Sequence, residues 1–144
     1  MIIESDMFVA YSKKSDWLKQ YADPIFELLR ENKLALKTSA AALIELYYAL
    51  EDLGFDKTSI LGKQAEIAAI KGLSILPLTS EVLLAAQSIM KSFKVSGLFD
   101  AMYAAATLNQ DGERTILSTD EVYDRIAGIR RLDPRDFKPQ ATRG

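Results

Sequence analysis

The chain is 144 residues long, 49% hydrophobic, carries a formal net charge of −2, and contains neither cysteine nor histidine. Its size suits one domain with one substantial core. The missing residue types exclude disulfides, thiolate and imidazole metal sites, cysteine nucleophiles, the Ser-His-Asp arrangement and paired-histidine ribonuclease chemistry, so a hydrolase of this composition must work through carboxylates.

In chain order, Met1 to Ser5 reads as a first strand, opened by the β-branched Ile2 and Ile3 and ended by Asp6. A short helix from Phe8 to Ser12 follows, and the polar Lys13, Lys14 and Ser15 break it. Ser15 is placed to cap a helix reaching Asn32, with Trp17, Leu18, Tyr21, Ile25, Leu28 and Leu29 at helical spacing. Pro24 inside it predicts either a kink or two shorter helices. Leu34 to Lys37 is a second strand, after which Thr38 or Ser39 caps a helix to about Leu53, ended by Gly54. Asp56 to Lys71 is a further helix, Leu73 to Leu76 a third strand, and Thr79 or Ser80 caps a helix to about Phe93.

The stretch SGLFDAMYAAATL, beginning at Ser96, reads as a helix of small residues pressed close against whatever lies behind it, with Asp100 in its first turn. Thr115 to Leu117 is the fourth strand, Ser118 and Glu121 form a capping box for a short helix to Ile126, and Ile129 to Leu132 can add a fifth strand at the edge. Strands alternating with helices predict an α/β domain over 1–137, with a central parallel sheet of four to five strands flanked by helices, and 138–144 read as a flexible C-terminal tail. No apolar run of about eighteen residues occurs, and the opening MIIESDMFVAY has no basic leader, so the expectation is a cytoplasmic protein without a membrane partner. From Arg125 onward, Arg125, Arg130, Arg131, Arg135, Lys138 and Arg143 face only Asp133 and Asp136, a strip that could meet phosphates or simply stay solvated.

Four acids stand at positions where chemistry is plausible. Asp6 and Asp120 lie at the carboxyl ends of strands, where open α/β sheets bind ligands. Asp100 opens an apolar helix, and Glu45 sits within AALIELYYAL, where an acid is costly unless exposed, paired or bound to metal. Each has an ordinary explanation as a cap or a surface charge. Together, three or four packed carboxylates repel one another unless divalent cations neutralise them, and their hard oxygens suit Mg²⁺ or Mn²⁺.

These blocks, Asp6 after an N-terminal strand, Glu45 in SAAALIEL, Asp100 in GLFDAMYAAAT, and Asp120 in ILSTDEVYDRI followed by GIRRLDP, resemble the PIN-domain nucleases, and among them the toxin subunits of VapBC-type toxin–antitoxin pairs. The resemblance covers Met1 to about Pro134. It implies a sheet ordered 3-2-1-4-5, a metal-dependent ribonuclease cleaving RNA, a homodimer, and inhibition by an antitoxin protein. It also implies that Asp6, Asp100 and Asp120 ligate Mg²⁺ or Mn²⁺, with Glu45 binding directly or through water, and that Thr119 hydrogen-bonds a water or phosphate. Lys13, Lys14, Lys91 and Lys94 flank the expected crevice as candidate RNA contacts. One departure stands out: the family places Thr or Ser after its first aspartate, whereas Met7 and Phe8 follow Asp6. Tyr123 is expected to pack in the core rather than stack on a base.

The Met7 departure keeps a rival in view, a non-catalytic PIN-like module that binds RNA or protein. A doubly wound phosphatase or receiver domain ranks third, because Phe8 stands where a second aspartate would be and Glu4 is not adjacent to Asp6. A dinucleotide-dependent dehydrogenase ranks lower, since no glycine-rich turn follows a strand.

Overall fold

The structure, a computed structural model, describes residues 1–139; residues 140–144, including Arg143 and most of the expected tail, lie outside the described residues. Five strands, β1 (Ile2–Ile3), β2 (Leu36–Ser39), β3 (Leu73–Leu76), β4 (Thr115–Leu117) and β5 (Arg130–Leu132), form one all-parallel sheet in the order β3-β2-β1-β4-β5. Six helices, α1 (Ser5–Ser12), α2 (Lys19–Arg30), α3 (Ala41–Asp52), α4 (Lys57–Ala68), α5 (Ser80–Phe93) and α6 (Leu98–Gln110), flank it, with a 3-10 turn over Glu121–Arg125. The expected α/β class and the 3-2-1-4-5 order both hold.

The central strand is the shortest. Ile2 and Ile3 are wholly buried and pair with Lys37 on one side and with Ile116 and Leu117 on the other. A strand covered on both faces reads as a continuous apolar run, which is why two isoleucines suffice here. Thr38 ties β2 to it further, its hydroxyl donating to the Ile3 carbonyl at 2.7 Å. Because β2 lies on one side of β1 and β4 on the other, the connection order reverses at β1, and a crevice opens at the carboxyl ends of β1 and β4.

Several boundaries differ from the sequence-based expectation. The first strand does not run to Ser5 and Asp6 does not end it. The strand stops at Ile3, Glu4 stands just before α1 without a side-chain cap bond, and Asp6 lies exposed in that helix's first turn. An acid there faces the positive end of the helix dipole, which favours helix over further strand. α2 begins at Lys19 rather than near Ser15, since Asp16 rather than Ser15 organises the loop ahead of it, accepting from the Leu18 amide at 2.9 Å. Pro24 sits inside α2 without dividing it. β2 runs to Ser39, so Thr38 and Ser39 belong to the strand and Ala40 is the residue before α3. Ser118 does not cap the 3-10 turn; Asp120 does, accepting from the Val122 amide at 2.9 Å.

α6 is the buried helix of the fold. Residues Ala101 to Thr107 are all buried, and four alanines among them let the helix lie close to the sheet and to α5. No helix among the described residues is long and apolar enough to cross a membrane.

Gly72, at the entrance to β3, is fixed by sterics: a Cβ there would come within 2.1 Å of the Leu34 carbonyl oxygen and 2.8 Å of that of Leu29. Both obstacles are backbone. Gly72→Ala should therefore lower the urea-unfolding free energy by about 2 kcal/mol or more, as overpacking does. Gly62→Ala, in α4 with nothing within 4 Å, should instead be neutral or stabilising by about 0.5–1 kcal/mol through helix propensity.

Candidate active site

The crevice is built around a carboxyl group that the sequence reading passed over. Glu4 directly follows β1 and is only 5% exposed. Two hydroxyls meet it, Ser118 Oγ on Oε1 and Tyr123 Oη on Oε2, the latter at 2.7 Å. Burial, with the Asp6 and Asp100 carboxylates adding, pushes the Glu4 carboxyl up to about 8, although the two hydroxyl contacts pull the other way. Ser118 is itself fixed, because its Oγ accepts from the Asp120 amide at 2.9 Å and its carbonyl accepts from Arg131 at 3.2 Å. Tyr123 is fully buried, as expected of core packing, but its phenol also serves the site.

Glu45, on the second turn of α3, is half-buried and points inward. Its Oε1 accepts from Ser5 Oγ at 2.9 Å and from Tyr103 Oη at 2.7 Å, which ties α1, α3 and α6 together at one atom. Burial and the Glu45 carboxylate push the Tyr103 phenol well up, so it remains a donor. After the first strand, the carboxyl residue directly followed by a hydroxyl residue is Glu4, with Ser5.

The predicted acids are electrostatic neighbours. Asp6, whose tip reaches solvent while the protein around it still removes part of its water, is pushed up first by that loss and then by Glu45, Asp120 and Asp16. Asp100, half-buried in the first turn of α6, is pushed up to about 6 by burial and then by Asp120, Glu45 and Asp6. Among the described residues no lysine or arginine is ion-paired with Glu4, Asp6, Glu45, Asp100 or Asp120. Two of the basic C-terminal residues are engaged elsewhere: Arg131 with Asp124 and Asp133, and Arg135 with Asp133. Gly97 leaves room for Asp100, since a Cβ at Gly97 would come within 2.6 Å of Asp100 Oδ2.

The remaining predicted residues divide. Thr119, next to Asp120, lines a cleft of about 120 Å³ together with Asp6, Val9, Asp16, Trp17 and Leu18. Lys13 is paired with Asp16 at 3.1 Å. Lys14, Lys91 and Lys94 are exposed, Lys91 in the last turn of α5 and Lys94 just after it, a short way before Asp100 in the chain. Sequence reasoning missed Glu4 and Asp16. The signal for Glu4 was its place one residue after two isoleucines; that for Asp16 was an acid beside a tryptophan in an otherwise basic loop.

By chemistry this donor set fits a hard divalent cation. It is all oxygen, strongly anionic and without a basic partner among the described residues. By position it is open: no three of the described acids converge closely enough to hold an ion. Like charges without a counter-charge keep apart.

The PIN domain family matches residues 10–129, and the chain belongs to that family. Its fold is shared by solved toxin structures. VapBC2 from Rickettsia felis, bound to a promoter DNA fragment, matches at a TM-score of 0.68 and 15% identity, over 92% of this chain and 96% of that one. VapC20 of Mycobacterium tuberculosis, a toxin that cleaves the sarcin–ricin loop, matches at 0.69 and 15%, over 92% and 98%. A toxin–antitoxin complex from Klebsiella pneumoniae matches at 0.60 and 13%, over 94% and 98%. No protein of curated function matches the chain by sequence.

Glu4 and Asp100 hold their protons more tightly in the fold than in the unfolded chain. The stability they contribute is complete below about pH 4 and is lost as pH rises through about 6 for Asp100 and about 8 for Glu4. Urea unfolding in EDTA at about pH 5, 7 and 9 should give falling stability. Asp100→Asn should flatten the lower part of that fall, and Glu4→Gln the upper part.

Proposed function

We propose that this chain is a divalent-metal-dependent endoribonuclease that hydrolyses RNA phosphodiester bonds, the toxin of a type II toxin–antitoxin pair. The observation that carries this is the crevice beyond the carboxyl ends of β1 and β4, where Asp6 and Asp100 feel the charges of Glu45 on α3 and of Asp120, and Glu4 those of Asp6 and Asp100, with no basic partner among the described residues. Asp6, Asp100, Asp120 and Glu45 are the proposed ligands of Mg²⁺ or Mn²⁺, and Glu4 is a further carboxylate of the same site. When bound, a divalent ion supplies water activation and neutralisation of phosphate charge. Ser5 and Tyr103 orient Glu45 through its Oε1, and Thr119 offers a hydroxyl to substrate or water beside Asp120. Exposed Lys14, Lys91 and Lys94 are available to phosphates.

An antitoxin partner and a homodimer belong to the same proposal. They are supported by the VapBC and toxin–antitoxin assemblies that share the fold, and by large apolar side chains left exposed on α3, Ile44 and Tyr48. One observation favours the second reading, a PIN-fold module that binds RNA or protein without cutting: the described acids do not converge as a threesome.

Cleavage of a mixed single-stranded RNA panel by the purified chain separates the two. We expect cutting with Mg²⁺ or Mn²⁺, none with EDTA, and none by Asp100→Asn. Tyr103→Phe, which leaves Glu45 with one donor, should cut about 10- to 100-fold more slowly, the usual range for groups that orient a ligand. Equal behaviour of wild type and Asp100→Asn under every metal would leave the binding module standing.

A further inference from the structure

We propose that Trp17 is a stacking platform for an unpaired nucleobase next to the scissile phosphate, an inference that rests on the nuclease reading and names the substrate region it engages. Trp17 is 59% exposed, while its neighbour Leu18 is 4% exposed. The buried leucine anchors the loop between α1 and α2, and the indole is left outside. That loop is fixed rather than free: Asp16 Oδ1 accepts from the Leu18 amide at 2.9 Å, the Asp16 carbonyl accepts from the Lys19 amide at 3.0 Å, and Asp16 Oδ2 pairs with Lys13 at 3.1 Å. The backbone that carries the indole is thus held in place.

What lies beside it decides the occupant. Trp17 shares its cleft with Asp6, one of the proposed ligands, and with Thr119, next to Asp120. Anything that places a phosphate at those acids brings the adjoining nucleoside to the indole. A cleft of about 120 Å³ is too small to enclose a base, so the base would lie across its rim, one face on the indole and the other towards solvent. Asp16 is acidic and already engaged through both oxygens, so the loop offers aromatic surface and little hydrogen-bonding readout. Such contacts tolerate any base but require that it be unstacked. The platform therefore selects single-stranded or looped-out positions over duplex, and contributes little to sequence preference.

Trp17 is the only tryptophan in the chain, so its emission reports on this contact without reference to cleavage. The test titrates the wild-type protein, with Ca²⁺ replacing Mg²⁺ as a hard oxygen-binding ion to slow cutting, with a mixed-sequence hexanucleotide RNA and with an abasic hexamer of the same backbone. Indole fluorescence is followed beside anisotropy of the labelled oligomers. Saturable quenching by the base-bearing oligomer alone is expected. Trp17→Leu should bind it about 5- to 150-fold more weakly, the loss of one base–aromatic stack, while Trp17→Phe stays close to the parent. In the wild-type background, KM for RNA cleavage should rise in Trp17→Leu with kcat little changed.

Binding seen by anisotropy without quenching, or equal quenching by the abasic oligomer, overturns the proposal. So does a Trp17→Leu protein that binds and cuts RNA like the parent, including the case in which that variant loses only capture of a protein partner. Cutting by the wild type without base-dependent quenching sinks the platform and spares the nuclease. Base-dependent quenching with no cutting under any metal sinks the nuclease and, with it, the placement beside a scissile phosphate, leaving Trp17 a base-stacking surface of a binding module.

Discussion

Burying the Glu4 carboxyl at the tip of the central strand costs free energy unless donors replace the water it loses, and the structure supplies two hydroxyls for that purpose. Ser118 comes from the end of β4 and Tyr123 from the 3-10 turn beyond it. One carboxyl therefore joins the carboxyl ends of β1 and β4 and fixes the turn that carries Asp120. Glu45 repeats the device one layer away, with Ser5 and Tyr103 as donors from α1 and α6. Hydroxyls hold a carboxyl in place whether or not it is ionised and bring no opposing charge, whereas an arginine or lysine would neutralise it.

That choice explains the electrostatics of the crevice. Among the described residues, bases are paired with acids over the outer surface, at Arg30–Glu66, Lys19–Asp23 and Arg131–Asp124, and none is spent on the central acids. Asp6 and Asp100 carry a raised cost of ionisation instead, first from burial and then from the nearby Glu45 and Asp120 carboxylates. Such an arrangement is stable enough because the hydrophobic core behind it is well packed, with α6 buried over seven consecutive residues. Carboxyls held at the switch point of a sheet with a raised cost of ionisation are a setting that a bound divalent cation would relieve, which is the basis of the proposed metal dependence.

Much of this was legible in the sequence. Strand–helix alternation and the glycine and hydroxyl punctuation set the α/β class, and the alanine-rich block around Asp100 marked the buried helix. Boundaries were weakest where residues serve two purposes. Ser5 and Asp6 read as the end of a strand because β-branched residues precede them, yet two isoleucines flanked by neighbours on both sides complete the central strand. Ser118 read as a helix cap because the S-x-x-E spacing is that of a capping box, but its hydroxyl is committed to Glu4. Glu4 itself was invisible for the same reason: its burial depends on Tyr123, 119 positions away, and no local pattern carries that contact. Lys13 shows the opposite failure, since a short-range partner, Asp16, takes a charge that looked available.

The central claim is that these acids exist to hold a divalent ion. It is tested most directly by titrating Mn²⁺ into the metal-free protein and following the paramagnetic resonance of the free ion. The account predicts that the free signal stays suppressed until about one or two equivalents are bound, and that the suppression disappears in Asp100→Asn. A free signal that grows from the first addition in the wild type, or that is suppressed equally in both proteins, would contradict it.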